Sequence, residues 1–353
     1  MQRQYSVGWE WRYKVDSLTQ MALGSAVSIT LLRKQIGVPK AALLGAVLGT
    51  APDLDVLIEH GDPLSNMTQH RTETHALFYL LLLSPLLGWL LAKYWLQPAW
   101  FARLTLAVAA VLLSHPLLDS LTIYGTQLAL PFNNTPYGTG SVFVIDPLYT
   151  LLLLFGVCSA FVRPQGRANQ WGLALSSAYL LIGLATQWMV SNKVVQQLQG
   201  EHQQVQKLLV TATPFNTALW RILVLQQDQY LEGYYSVFDG DKPVQWQVFR
   251  REQALLTTFA DLDAVRQLNW FSSGFYLLEQ HQQQLVLTDL RMGLAPYYNF
   301  SFVVAEQRDG QWQPVPVRQR ERPTVRRQTL LWLWQRIWSQ TQQPLTPWLD
   351  RAD

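Results

Sequence analysis

Four short runs concentrate the residues able to do chemistry: Pro52-Asp53-Leu54-Asp55, His70-Arg71-Thr72-Glu73-Thr74-His75, Ser114-His115-Pro116-Leu117-Leu118-Asp119, and Asp146-Pro147. Imidazole nitrogens and carboxylate oxygens, with no thiolate among them, are ligands of a divalent Zn, Mn or non-haem Fe ion and do not select among the three. His115 and Asp119 are four residues apart, so a helix carries both on one face about one turn apart, and Pro116 between them frees a carbonyl. Asp53 and Asp55 point to opposite sides of a regular helix, and reach one centre together only if the chain unwinds at Pro52. His70 and His75 likewise need a turn between them. Arg71 either holds an anionic group or pairs with Glu73 or a nearby aspartate. Asp16 and Asp146 stand at helix starts, where capping is the default role and ligation the alternative.

These runs must be positioned by apolar helices, because the chain divides in two. Charged residues make up only 14% of the 353 residues, against about 25% in soluble proteins, and apolar stretches crowd positions 16–190. Candidate spans run over 17–32, 41–58, 76–96, 104–123, 142–162 and 171–190, giving about six. The first two are short and rich in small residues (Ala41, Ala42, Gly45, Ala46, Gly49), which predicts a closely packed hairpin. The first span also serves as the insertion signal, since the polar segment before it is no cleavable leader. Lys and Arg between spans (Arg33, Lys34, Lys40; Lys93, Arg103; Arg163, Arg167) predict three cytoplasmic loops. By that count every His/Asp run falls toward the extracytoplasmic ends, and the C-terminal part lies outside; Arg3, Arg12 and Lys14 oppose the matching assignment of the N-terminus. Ionisable groups at that depth are costly and point to function.

The fold class predicted is therefore an α-helical membrane bundle followed by a small α+β extramembrane domain. Its divisions are an N-terminal polar segment (1–15), the bundle (16–190), a Gln-rich exposed connecting helix (191–210), the α+β domain (211–325) and an amphipathic Trp/Arg-rich tail (326–353). Alternating runs such as 220–225 and 245–249 read as strands, and Phe238-Asp239-Gly240-Asp241 and Arg308-Asp309-Gly310 as turns, with Asp239, Asp241 and Asp289 as turn and surface residues. The stripe Leu330, Leu331, Trp332, Leu333, Trp334, Ile337 and Trp338 lies either on a bilayer surface or against its own domain. The lone Cys158 excludes a disulfide framework, and a net charge of +3 without a basic, aromatic-laced stripe excludes nucleic acid as a partner.

The run Asp16-Ser17-Leu18-Thr19-Gln20 with its Gly/Ala-rich span, then Pro-Asp-Leu-Asp, His-Arg-x-x-Thr-His and Ser-His-x-x-x-Asp, resembles the YdjM/YbcI family of membrane-bound metal-dependent hydrolases over roughly the first 190 residues. The resemblance implies an inner-membrane hydrolase whose divalent metal is held by Asp53, Asp55, His70, His75, His115 and Asp119. Relatives commonly carry His where Gln20 stands and a small residue where Glu73 stands. The reading that follows is metal-activated water attacking a membrane-borne or lipid-like ester or phosphoester, with Glu73 or Asp55 as the base and Arg71 beside the substrate. A non-catalytic membrane assembly or regulatory protein, whose C-terminal domain binds a partner, is the alternative. A transporter ranks third, because polar residues do not continue along the spans beyond Ser28, Thr30 and Gln187.

Overall fold

The structure, a computed structural model, describes residues 7–95, 97–321 and 327–346, with side chains of the first helix from Ser17 onward. The side chains of Arg12, Lys14 and Asp16, together with Arg3, Arg326 and residues 347–353, lie outside the described residues. The chain forms two compact units: one from residues up to Ile58 with His70–Gly183 and Pro214–Asn216, the other from Glu59–Gln69, Leu184–Thr213 and Thr217 onward.

The first unit is helical. Helix α1 (Val7–Thr50) is broken at Gly37, whose φ of 79° is a left-handed conformation that glycine adopts without strain, and Pro39 starts the second half. The two halves fold back on each other as the small-residue pattern predicts. A Cβ placed on Gly24 would lie 2.2 Å from the Gly45 carbonyl oxygen, so the backbones touch where only hydrogen fits. Ser25 Oγ ties this contact by donating to the Ala42 carbonyl at 2.9 Å.

Beyond α1 come a 3-10 turn (Pro52–Leu57), helix α2 (Pro63–Gln69) of the other unit, a second 3-10 turn (Glu73–His75), α3 (Leu77–Tyr94) and α4 (Phe101–Leu121). Helix α5 (Pro147–Val162) and α6 (Ala168–Gly200) follow. Among the described residues three helices are long and apolar enough to cross a membrane, over Leu77–Tyr94, Pro98–Leu121 and Ala168–Gly200. The expected six spans are not established. Helix α5 is apolar but 16 residues long, and the first two expected spans are the halves of α1, which are diluted by Ser, Gly, Gln, Arg33, Lys34 and Lys40. Helices α3 and α4 pack along Leu80, Val108 and Leu112, while Ile29, Leu32, Val38 and Ala41 of α1 pack on Leu104 and Ala107 of α4.

The second unit is a sandwich of two four-stranded antiparallel sheets. One has the order β1 (Lys207–Ala212), β2 (Leu219–Leu225), β3 (Gln229–Ser236), β4 (Gln247–Arg250). After α7 (Gln253–Thr258) and α8 (Asp263–Phe271), the other is formed by β5 (Tyr276–His281), β6 (Gln284–Asp289), β9 (Ser301–Arg308) and β10 (Gln311–Gln319) in the order β10-β9-β6-β5, with a small β7–β8 ladder (Gly293–Leu294, Tyr297–Tyr298) inserted. Strand β2 is buried along its whole length because both its faces are covered. Trp220, Ile222 and Val224 pack on Val190, Val194 and Leu198 of α6, so the connecting helix, expected to be solvent-exposed, buries one face and ends at Gly200. Leu223 and Leu225 pack on Phe275, Leu277 and Leu290. Between the sheets Arg221 pairs with Glu232 at 2.6 Å, with both side chains buried.

Two aspartates expected at the surface are instead buried. Asp239 accepts from Arg336 of α9 (Arg327–Ile337), and Asp289 pairs with Arg291 at 2.7 Å. Burial alone would raise the Asp239 pKa, but hydrogen bonds from Arg336, Ser339, the Ser236 N–H and Gln342 together outweigh it and hold the carboxyl below its ordinary value. Trp332 and Leu333 of α9 pack on Leu219, Tyr234 and Leu294, which places the inner side of the Trp-rich stripe on its own domain.

Gly45→Val, placing a side chain against the opposing backbone, is expected to lower the unfolding free energy of the full chain by at least about 2 kcal/mol. Gly200→Ala, where nothing lies within 4 Å of the added carbon, is expected to leave it unchanged. Denaturant titration of detergent-solubilised protein checks both.

Candidate metal centre

The site is assembled at one end of the first unit, where α1 and α4 finish and α3 begins. The chain leaves α1 at Thr50 and tightens into the Pro52–Leu57 turn, because Pro52 lacks the N–H that would continue an α-helix. That turn separates the two aspartates: Asp55 is buried, whereas the Asp53 side chain is 19% exposed. His115 and Asp119 sit one turn apart on α4, both buried. His75 closes the second 3-10 turn just before α3, and it too is fully buried.

One atom from each of Asp53, His75, His115 and Asp119 lies within 4.8 Å of the others. The His75 and His115 Nε2 atoms are 3.1 Å apart. Asp53 Oδ1 stands 3.4 Å from His75 Nε2 and 3.3 Å from His115 Nε2. Asp119 Oδ2 stands 3.3 and 3.2 Å from the same two atoms. Four ligands arranged tetrahedrally at about 2.0–2.1 Å from a common centre stand about 3.3 Å from one another, so the spacing suits such an ion.

The protons support the same reading. His115 Nδ1 is 2.6 Å from the Gly49 carbonyl oxygen, which can only accept, so the ring carries its proton there and turns an Nε2 lone pair inward. Thr74 Oγ1 donates to Asp55 Oδ2 at 2.8 Å and therefore accepts from His75 Nδ1 at 2.9 Å, leaving His75 Nε2 as a second inward lone pair. Asp53 Oδ1 and Asp119 Oδ2 are buried and make no hydrogen bond. With both imidazoles neutral, four acceptors thus face one another, an arrangement that a cation stabilises.

The six expected ligands fall into two sets. Asp55 and His70 stand behind the converging four: Asp55 Oδ1 bonds His70 Nδ1 at 2.7 Å, and Asp55 Oδ2 accepts from Thr74 and from the Arg71 backbone N–H at 3.0 Å. Asp55 also lies 3.5 Å from His75 Nδ1, the position of a carboxylate that orients a metal-binding imidazole. Arg71 has a left-handed φ of 68°, unusual for a side-chain-bearing residue. Its N–H on Asp55 and its carbonyl, which accepts from Gln127 at 3.0 Å, hold that conformation. The guanidinium lies over the Tyr124 ring at 5.0 Å, with Nε 3.4 Å from Asp119 Oδ2. Glu73 is exposed, and no described hydrogen bond or ion pair joins it to the cluster. Asp146 is the N-cap of α5, accepting from the Tyr149 N–H and, at 2.7 Å, from the Tyr179 hydroxyl.

Four contributors carry little or no signal in the sequence. The Gly49 carbonyl is backbone, and Thr74 reads as filler between two histidines. Tyr124 and Gln127 lie in or beside the nearly uncharged stretch that reads as a plain loop. Gln127 and Leu128 hold that loop on the site through backbone bonds to Arg71 and Leu77.

Residues 15–190 match the family described as YdjM inner membrane protein. The chain is 22% identical over 237 residues to the uncharacterized protein YfhP of Bacillus subtilis (strain 168), an alignment covering 64% of this chain and 71% of that protein. It is 34% identical over 109 residues to the inner membrane protein YbcI of Escherichia coli (strain K12), covering 31% of this chain and 61% of that protein. No solved structure matches. Through residues 15–190, which hold every donor of the cluster, the chain belongs to the YdjM inner membrane protein family.

Proposed function

We propose that the protein is a membrane-bound, metal-dependent hydrolase of the bacterial inner membrane, acting on a membrane-borne or lipid-like ester or phosphoester. The observation that carries this reading is the convergence of one ligand atom from each of His75, His115, Asp53 and Asp119 at the end of apolar helices. A divalent ion held there by these four residues, zinc, manganese or iron, would supply a Lewis acid and an activated water. Asp53, the one partly exposed donor, marks the open side from which substrate approaches.

The chain's own residues divide the remaining work. Asp55 is engaged by His70, Thr74 and the Arg71 N–H, so its part is to orient His75. Glu73, exposed and two residues before His75, is then the freer carboxylate to take a proton from the attacking water. Arg71, beside Asp119, offers a planar cation to an anionic or developing negative charge. The Lys and Arg distribution supports an extracytoplasmic site and C-terminal unit.

Elemental analysis of the detergent-purified protein is expected to find about one divalent ion per chain, absent from His75→Ala and His115→Ala; a well-folded, unchelated wild type without metal would return the protein to the assembly or regulatory class. Asp55→Asn is expected to keep the ion but bind it about ten- to a hundredfold more weakly in chelator competition, as loss of an outer carboxylate does. Glu73→Gln is expected to retain metal while slowing hydrolysis of a lipid-like phosphoester by about a hundredfold or more; unchanged turnover assigns the base elsewhere.

A further inference from the structure

We propose that Gln20 fixes the coordination number of the metal centre, and with it the preference for zinc, by holding one oxygen of Asp119 away from the ion. The proposal rests on the metal reading above. Gln20 lies on α1, is 1% exposed, and its Nε2 donates to Asp119 Oδ1 at 2.9 Å. The other oxygen, Oδ2, is the one that faces His75 and His115. A carboxylate tied in this way offers one oxygen to the centre instead of two. With Asp119 held to one oxygen, two imidazoles and two carboxylates give the ion a low protein coordination that leaves a position for water and suits zinc, whereas manganese and ferrous iron favour more oxygen ligands and higher coordination.

The backbone keeps Gln20 from following Asp119 if the carboxylate turns. A Cβ on Gly49 would lie 2.7 Å from the Gln20 carbonyl oxygen, so the two halves of α1 touch at this level. The same Gly49 supplies the carbonyl that accepts from His115 Nδ1. One helix contact therefore sets two donors: the Gln20 amide orients Asp119, and the Gly49 carbonyl orients His115. Gln20 Oε1 is buried and without a hydrogen bond, so the side chain is anchored through Nε2, which donates to Asp119 Oδ1 and, at 3.5 Å, to the His115 carbonyl. Removing that donor frees Oδ1 to turn inward and join Oδ2 on the ion.

The test loads the full-length wild type and Gln20→Met, similar in length but unable to donate, with Co(II), and reads the visible spectrum, which is intense for four-coordinate and weak for six-coordinate ions. Chelator competition then gives the Zn(II) and Mn(II) affinities. Wild type is expected to show the more intense bands of low coordination and Gln20→Met weaker ones, with zinc affinity falling about ten- to a hundredfold and manganese affinity falling less. Gln20→Glu, which places a carboxylate against Asp119, gives a second reading in the same direction if Gln20→Met does not fold. Wild-type spectra and zinc-over-manganese ratios in the folded variants would overturn the role of Gln20 while leaving the metal centre intact. Absence of any Co(II) signal in folded wild type would overturn the metal reading, and this proposal with it.

Discussion

Two halves of one helix touch through glycine backbones, and the geometry of the candidate metal centre begins from that contact. Gly24 and Gly45 leave no room for a side chain between the halves of α1, and Gly49 meets the Gln20 carbonyl one turn further on. At that distance the helices are held by backbone shape more than by side-chain choice, so positions on them are closely fixed. Gln20 and the Gly49 carbonyl are delivered from there to Asp119 and His115 on α4. A hairpin separated by larger residues would still be apolar and helical, but it would not bring a backbone carbonyl to an imidazole at 2.6 Å.

Around this rigid floor the other two donors arrive on irregular backbone. Pro52 ends the α-helix, Arg71 turns left-handed, and both events are locked through Asp55, whose two oxygens collect His70, Thr74 and the Arg71 N–H. Asp55 thereby acts as a hub for the turn that carries Asp53 and the turn that carries His75. Irregular chain at the end of helices apolar enough to cross a membrane is tolerated where its backbone groups are paired, and here the loop after α4 pairs the Arg71 carbonyl and the Leu77 N–H.

The legible part of the site was the part governed by helical periodicity. His115 and Asp119, four apart, face the centre together as their spacing requires. Asp53 and Asp55, two apart, pose a problem that period alone leaves open, and the structure answers it by turning Asp53 in and leaving Asp55 behind. The same limit separates His70 from His75, since which of two histidines turns inward is decided by a turn conformation and a threonine hydroxyl. Apolar runs located α3, α4 and α6, but the α1 halves are too diluted with polar residues to count as crossings by length and composition. In the second unit the strand at 219–225 was visible as alternation. Buried Asp239 and Asp289 were not, because an aspartate next to glycine reads as a turn until its arginine partner, distant in Arg336 or adjacent in Arg291, is seen.

The order of the donors along the chain has a consequence for biogenesis. Asp53 and His75 precede α4, whereas His115 lies 40 residues after His75 and Asp119 one turn beyond it. Before α4 is in place the first two have beside them only the turn residues around them, Thr74 and Asp55 against His75. The four ligand atoms come together only when α4 packs on α1 and the two 3-10 turns settle against it, so the candidate centre is complete no earlier than the bundle itself.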